Sequence, residues 1–413
     1  MSFNDLIQAI CENNEDAIIS LIGLINQDLI NKTMINGFTP LIVSICKQYT
    51  NITKLLLTVN GIDINKCEEK NNCSPLYIAA QIGNIDIVKL LIEATPVSAD
   101  INLCNREGDH PLIIASNLGH LPIAKLLIEA APIGADINHC NHANGDALYY
   151  ASQNGHLPIV ELLIQYGVNI NLCSVNGSNA LIASSQNGHL PIVELLIQYG
   201  VNINLCSVKG STALIVSSNS GNFDIVKVLI NYGANINHRD SNNCDALYFA
   251  AQNGHLSIVK LLIEANPIGA DINLCNVKGI NALYCASQNG HLPIVKLLIQ
   301  SGININQANN DEYTALMVAS YMNHLNIVKL LIQSGANINQ VNNDGDSALM
   351  IASYMGYFDI AKLLIESGAD INKINNDGDS VLKIAVENNH INIVNLLIRD
   401  SIVVEEICLQ SKN

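Results

Sequence analysis

The sequence predicts an all-α solenoid of about twelve stacked helix–turn–helix repeats joined by short β-hairpin loops. Three observations predict it. One leucine recurs at Leu41, Leu76, Leu112, Leu148, Leu181, Leu214, Leu247, Leu283, Leu316, Leu349 and Leu382, at intervals of 33 to 36 residues. Each interval carries the same two short apolar patterns, separated by a polar turn. Neither pattern is long enough to bury its apolar face alone, so each copy must lean on its neighbours. Ser152–Val175 and Ser185–Val208 are identical residue for residue, the mark of recent duplication.

The elements follow in order. Residues 1–36 read as a degenerate N-terminal capping repeat, with a polar turn at Glu12, Asn13, Asn14, Glu15 and Asp16 suited to a solvent-facing end. Residues 37–400 hold eleven tandem repeats, and residues 401–413 form a C-terminal tail with no room for a further adaptor module. In the repeat from Gly177, a first helix opens at Ala180-Leu181 and stops at Asn187-Gly188, as helices do before a glycine. A second begins at Leu190-Pro191, where proline is tolerated because the first-turn N–H has no helical partner. Ile192, Val193, Leu195, Leu196 and Ile197 then lie on one broad apolar face. Gly200 ends that helix, and a turn-rich link leads on. The 36-residue intervals carry a longer link, as in Glu93-Ala-Thr-Pro-Val-Ser-Ala-Asp, in a surface connection where extra residues cost little.

The length of the unit, its helix–turn–helix layout and its residues resemble the ankyrin-repeat family. The residues are Gly37-Phe38-Thr39-Pro40-Leu41, the Gly-His pairs at 119–120, 155–156, 188–189, 254–255 and 290–291, the Ile-Val-x-Leu-Leu-Ile helices and the Gly-Ala/Val-Asn/Asp-Ile-Asn ends. The likeness covers nearly the whole chain. It departs from the family's Thr-Pro-Leu-His at the last position, which holds Tyr77, Tyr149, Tyr248, Tyr284, Met317, Met350 or Lys383, and Thr-Pro survives in full only at Thr39-Pro40. The resemblance implies a non-enzymatic protein-interaction scaffold in the cytoplasm. It also implies asparagine hydroxylation at Asn102, Asn138 and Asn171 as a regulated variant. The Asn- and Ile-rich composition is similar to that of ankyrin proteins from intracellular bacteria, large viruses and protists, which makes a host-directed effector the distant alternative.

Composition narrows the partners. Twenty basic against 36 acidic residues, a net charge of −16, opposes non-specific nucleic-acid binding and docking on an anionic membrane. No apolar run approaches the roughly 18 residues a membrane span needs, and the first residues lack the basic and apolar segments of a signal peptide.

The residues offer little chemistry. Cys104, Cys140, Cys173, Cys206 and Cys275 occupy the same place in successive repeats, too far apart for disulfides if units stack at helix spacing, so reduced thiols are expected. His139, Cys140 and His142 have zinc-ligand chemistry but no fourth ligand in sequence; exposed polar tips are the plainer reading. His120, His156, His189, His255, His291, His324 and His390 recur with the repeat and so read as turn residues rather than catalytic ones. No cofactor, metal or catalytic residue is expected.

Binding must then use the positions the repeat leaves free, which the ankyrin resemblance implies are the hairpin tips and the concave surface at the end of the first helix. On the first helix these hold Gln153-Asn154, Gln186-Asn187, Gln252-Asn253 and Gln288-Asn289, but later become Tyr321-Met322 and Tyr354-Met355. Tyrosine is enriched in binding hot spots and methionine adapts to varied partners. The neighbouring tips turn acidic at Asp311-Glu312-Tyr313, Asp344-Gly345-Asp346 and Asp377-Gly378-Asp379. Tyr313, Tyr321, Met322, Asp346, Tyr354, Met355 and Asp379 are therefore the candidate partner-binding residues, for a protein segment with apolar anchors and Lys or Arg. The alternative is self-association through the apolar tips Val175, Val208 and Val277, next to a stretch from Leu126 to Val208 without Lys or Arg; local packing of the hairpins is the favoured reading of that surface.

Overall fold

The computed structural model describes residues 2–35 and 37–399. The chain falls into two compact halves, one up to Val208 and one from Lys209. In the first half, Phe3–Cys11 packs on Pro40–Cys46, and Pro75–Ile82, Pro111–Leu118, Ala147–Gln153 and Ala180–Asn187 follow, each on the last. A parallel row of second helices comprises Glu15–Ile22, Thr50–Leu57, Ile85–Ile92, Leu121–Glu129, Leu157–Gln165 and Leu190–Gln198. The second half repeats the plan. Its first helices are Ala213–Ser220, Ala246–Gln252, Ala282–Gln288, Ala315–Tyr321, Ala348–Met355 and Val381–Glu387. Its second helices are Phe223–Asn231, Leu256–Glu264, Leu292–Gln300, Leu325–Gln333, Phe358–Glu366 and residues 391–399.

Each helix has local causes. The residue before a first helix is Thr39, Ser74, His110, Asp146, Asn179, Thr212, Asp245, Asn281, Thr314, Ser347 or Ser380, and each side chain accepts a hydrogen bond from the backbone N–H three residues on. Loss of Thr-Pro thus leaves the junction intact, because any short side-chain acceptor serves as an N-cap. At His110 the imidazole does this: Nδ1 accepts from Ile113 at 3.3 Å while Nε2–H donates to the Asp136 carbonyl at 3.0 Å.

Packing supplies most of the stability. Leu181 and Leu196 are sealed, with Ile192 and Val193, and each such side chain contributes about 1.5–3 kcal/mol through burial. Leu181→Ala is expected to cost about 2–5 kcal/mol. A polar ladder joins the ends of the second helices. Asn102 Oδ1 accepts from Asp136 N at 2.9 Å, Asn138 Oδ1 from Asn169 N at 2.7 Å, and Asn273 Oδ1 from Asn304 N at 3.0 Å. The asparagine of these Ile-Asn ends thus fixes the next link.

The expected β-hairpins shrink in the structure to isolated antiparallel bridges, Ala308↔Thr314, Val341↔Ser347 and Ile374↔Ser380. The turn asparagine takes over the backbone donors: Asn309 Oδ1 accepts from both Asp311 N and Tyr313 N, at 3.0 and 2.8 Å.

Candidate functional site

The site is built on three successive tips and first helices of the second half. Asn342 and Asn375 hold their turns as Asn309 does, accepting from Asp344 and Asp346 and from Asp377 and Asp379. Backbone bonds tie tip to tip: Asn343 N–H donates to the Asp311 carbonyl at 3.2 Å and Asn376 N–H to that of Asp344 at 2.9 Å. The tips therefore form a rigid edge beside the C-terminal ends of the first helices.

Between edge and helices lies a groove of about 340 Å³, which gathers Tyr313, Tyr321, Asp346, Tyr354 and Asp379. Met350, Ile351 and Ile384 supply its apolar part, and Asn375, Asp377, Glu387 and Asn388 its polar side. A neighbouring depression of about 350 Å³ shares Tyr313 and Tyr321 and adds Met322, Tyr284 and Gln288. Tyr321 is 47 % and Tyr354 60 % exposed. Met355 is half-buried and lines neither hollow, so the second Tyr-Met pair is divided where the first is not.

The acidic residues are not all free. Asp346 Oδ1 accepts from Asn375 Nδ2 at 2.9 Å, as Asp109 Oδ1 does from Asn141 Nδ2 at 2.7 Å in the first half. Asp379 pairs with Lys383, which also lies 3.9 Å from Glu387. These contacts raise the Lys383 pKa, first through the hydrogen bond to Asp379. The second Asp of each turn thus has a local partner that the turn chemistry alone does not demand. Around the groove, Asp346, Asp377, Asp379 and Glu387 outnumber the single Lys383, leaving it net negative.

The remaining candidates fall elsewhere. His139 Nε2 lies 2.8 Å from the Gly108 carbonyl and 3.3 Å from Cys104 Sγ, and its ring stacks on His110 at 4.6 Å. Cys140 Sγ is directed to the Asn138 carbonyl at 3.6 Å, and the His142 ring edge lies against Gly108. Among the described residues no group of three His, Cys, Asp or Glu is placed to hold a metal ion, and no described cysteine is paired in a disulfide. No helix of the described residues is long and apolar enough to cross a membrane.

The recurring histidines bridge neighbouring repeats. His189 Nε2–H donates to the Gln153 carbonyl at 3.0 Å, His291 to Gln252 at 3.0 Å and His324 to Gln288 at 3.1 Å. The carbonyl can only accept, which fixes the ring nitrogen as donor.

Two rows of short helices, the first row capped alike and the repeats bonded one to the next, define a helical repeat module that presents its tips and first-helix ends as a surface. A family pattern described as "Ankyrin repeats (3 copies)" matches residues 6–103, 60–139, 94–174, 112–207, 148–240, 181–274, 247–342 and 334–407. The chain belongs to the ankyrin-repeat family. Ankyrin repeats are generally protein–protein interaction modules, and proteins built from them are typically non-enzymatic. A comparison with curated proteins finds no match.

Proposed function

We propose that the chain is a non-enzymatic scaffold that holds a segment of a partner protein in the groove between Tyr313, Tyr321 and Tyr354. The observation that carries this reading is the groove itself. Exposed tyrosines over a floor of buried apolar side chains lie beside an excess of carboxylates, so one surface offers apolar anchoring and attraction for a cation. A partner segment with an apolar side chain flanked by Lys or Arg matches both. Tyr321 and Tyr354 anchor the segment, Met322 adapts to its flank, and Asp377 and Glu387 receive its basic residue. Asp346 and Asp379 hold the tips in place as much as they attract. Because the carboxylates are near solvent, the ionic part of the binding weakens as salt rises. The capping role of residues 1–36 belongs to the same reading.

The test is affinity capture from cytosol with the full chain and with Tyr321→Ala plus Tyr354→Ala. Proteins held by the native chain and lost from the double variant, with the circular dichroism spectrum unchanged, support the groove. Equal capture by both chains refutes it.

Self-association has a narrower support. Val208 N–H donates to the Asn176 carbonyl at 2.8 Å, which sets the apolar tips Val175 and Val208 side by side, both exposed. Light scattering that shows only monomer over a wide concentration range removes this alternative.

A further inference from the structure

The last described repeat differs from all others on one face. The recurring leucine is 0–2 % exposed at the ten positions from Leu41 to Leu349, whereas Leu382 is 40 % exposed. Four residues on, Val386 is 54 % exposed, at the place of the fully buried Ala80, Ser152, Ser287 and Ser353. The second helix shows the same change. Val394 is half-buried where Val160, Val295 and Val328 are sealed, and Ile398 is exposed. A spacing of four in each helix aligns the four side chains on one side, the side that in internal repeats receives the following repeat.

The other end of the chain is built differently. Phe3–Cys11 exposes Asn4, Asp5 and Gln8, with Glu12 just after it, the polar outer face that a terminal repeat needs for solubility. At Leu382 the positions that face a following repeat hold Leu382 and Val386 instead, with the polar Lys383 and Glu387 beside them. Its composition also argues against a further repeat of the usual kind. Val386 puts a branched side chain where nine consecutive internal repeats have Ser or Ala, and only Ile45, at the earliest junction, is as large.

The chain itself offers two occupants, a second copy and the segment that follows. The apolar patch is only four side chains wide, small beside the roughly 800 Å² per partner that a stable protein pair buries. A short peptide is the better match. Residues 401–413 lie outside the described residues, and their sequence begins Ser-Ile-Val-Val-Glu-Glu-Ile-Cys-Leu. It lacks the Gly-Ala-Asn-Ile-Asn or Gly-Ala-Asp-Ile-Asn that leads on from Gly335 and Gly368, and its sequence has apolar residues at Val403 and Ile407, four positions apart. Thirteen residues reach up to roughly 40 Å when extended, whereas the seven-residue helix Val381–Glu387 is only about 10 Å long.

We propose that residues 401–413 dock on the outer face of the last repeat, with Val403 and Ile407 set against Leu382 and Val386, and so close the second half.

The test compares the full chain, a chain ending at Asp400, and the full-length variant Val403→Asp plus Ile407→Asp. Hydrogen exchange across residues 381–387 and the fluorescence of an apolar dye are read on each. The expected result is exchange at least tenfold faster at 381–387 in both altered chains, with residues 180–187 unchanged, and dye binding several-fold above that of the full chain. Equal exchange and equal dye binding in all three chains overturn the proposal. So does a full-length dimer that Val386→Asp dissolves while truncation leaves it intact, because a second copy then covers the face.

Discussion

The ring of His189 lies over Gly155 so closely that a Cβ built on that glycine would fall 2.6 Å from Cε1, while Nε2 holds the Gln153 carbonyl at 3.0 Å. Gly155 also has φ +79°, a conformation that L side chains adopt only at a cost. The two demands can be separated within this chain. All seven of these histidines follow a glycine in the preceding repeat: Gly83, Gly119, Gly155, Gly221, Gly254, Gly290 and Gly356 meet His120, His156, His189, His255, His291, His324 and His390. Where the same left-handed position holds Gln48 or Asn323, the following repeat has Asn84 or Tyr357 instead of histidine.

Gly155→Asn is therefore expected to destabilise the chain by about 2 kcal/mol, since asparagine tolerates the backbone but not the overlap. With His189→Asn already in place, the same change costs much less. Denaturant unfolding of the two single variants and the double variant measures the coupling; additive effects contradict it.

Several first helices bury a serine hydroxyl against the next helix. Ser152 and Ser353 are fully buried and their Oγ atoms make no hydrogen bond, whereas Ala80 and Ala251 fill the same place elsewhere. Removing an unsatisfied hydroxyl without adding volume stabilises by about 1 kcal/mol. Ser353→Ala should raise the unfolding midpoint by a degree or more. A lowered midpoint means that the hydroxyl has an acceptor.

Two N-caps carry a pH dependence of unusual sign. Burial pushes the carboxyls of Asp146 and Asp245 up to about 6, against their backbone hydrogen bonds, which lower it. The folded chain thus binds these protons more tightly than the unfolded chain. Their contribution to stability is complete below the ordinary carboxylate pKa and is lost as pH rises through about 6. Asp146→Asn keeps the cap, as Asn179 and Asn281 do, and removes the titration. Its stability relative to the native chain should improve by about 2–3 kcal/mol between about pH 4 and about pH 7. His110 acts the other way. Burial lowers its pKa, so its contribution is lost as pH falls through the folded value, and only the difference between variant and native chain isolates Asp146. A difference that does not change with pH contradicts the buried charge.

The two helices of each repeat were legible because each signal is local: the leucine, the proline in the first turn and the glycine at the end all act within one turn. The histidines were legible as turn residues, but not their bonds to Gln153 or Gln252, which lie in the preceding repeat. The groove shows the same limit. Tyr321 and Tyr354 stood out by departing from Gln, while Met350, Ile351 and Ile384 did not, because their apolar character suits the core equally well. Lys383 reads in the sequence only as a departure from the family's His, although it stands four residues after Asp379, a spacing at which opposite charges meet on a helix.

A photo-crosslinking residue placed at 354, and separately at the equivalent position 153, tests the groove most directly. Both positions follow the same buried serine near the end of a first helix, Ser353 and Ser152, so only their surroundings differ. In cytosol, crosslinks are expected from position 354 to a partner segment containing Lys or Arg beside an apolar residue, and none from position 153. Equal crosslinking at both positions, or crosslinks from 153 alone, would contradict it.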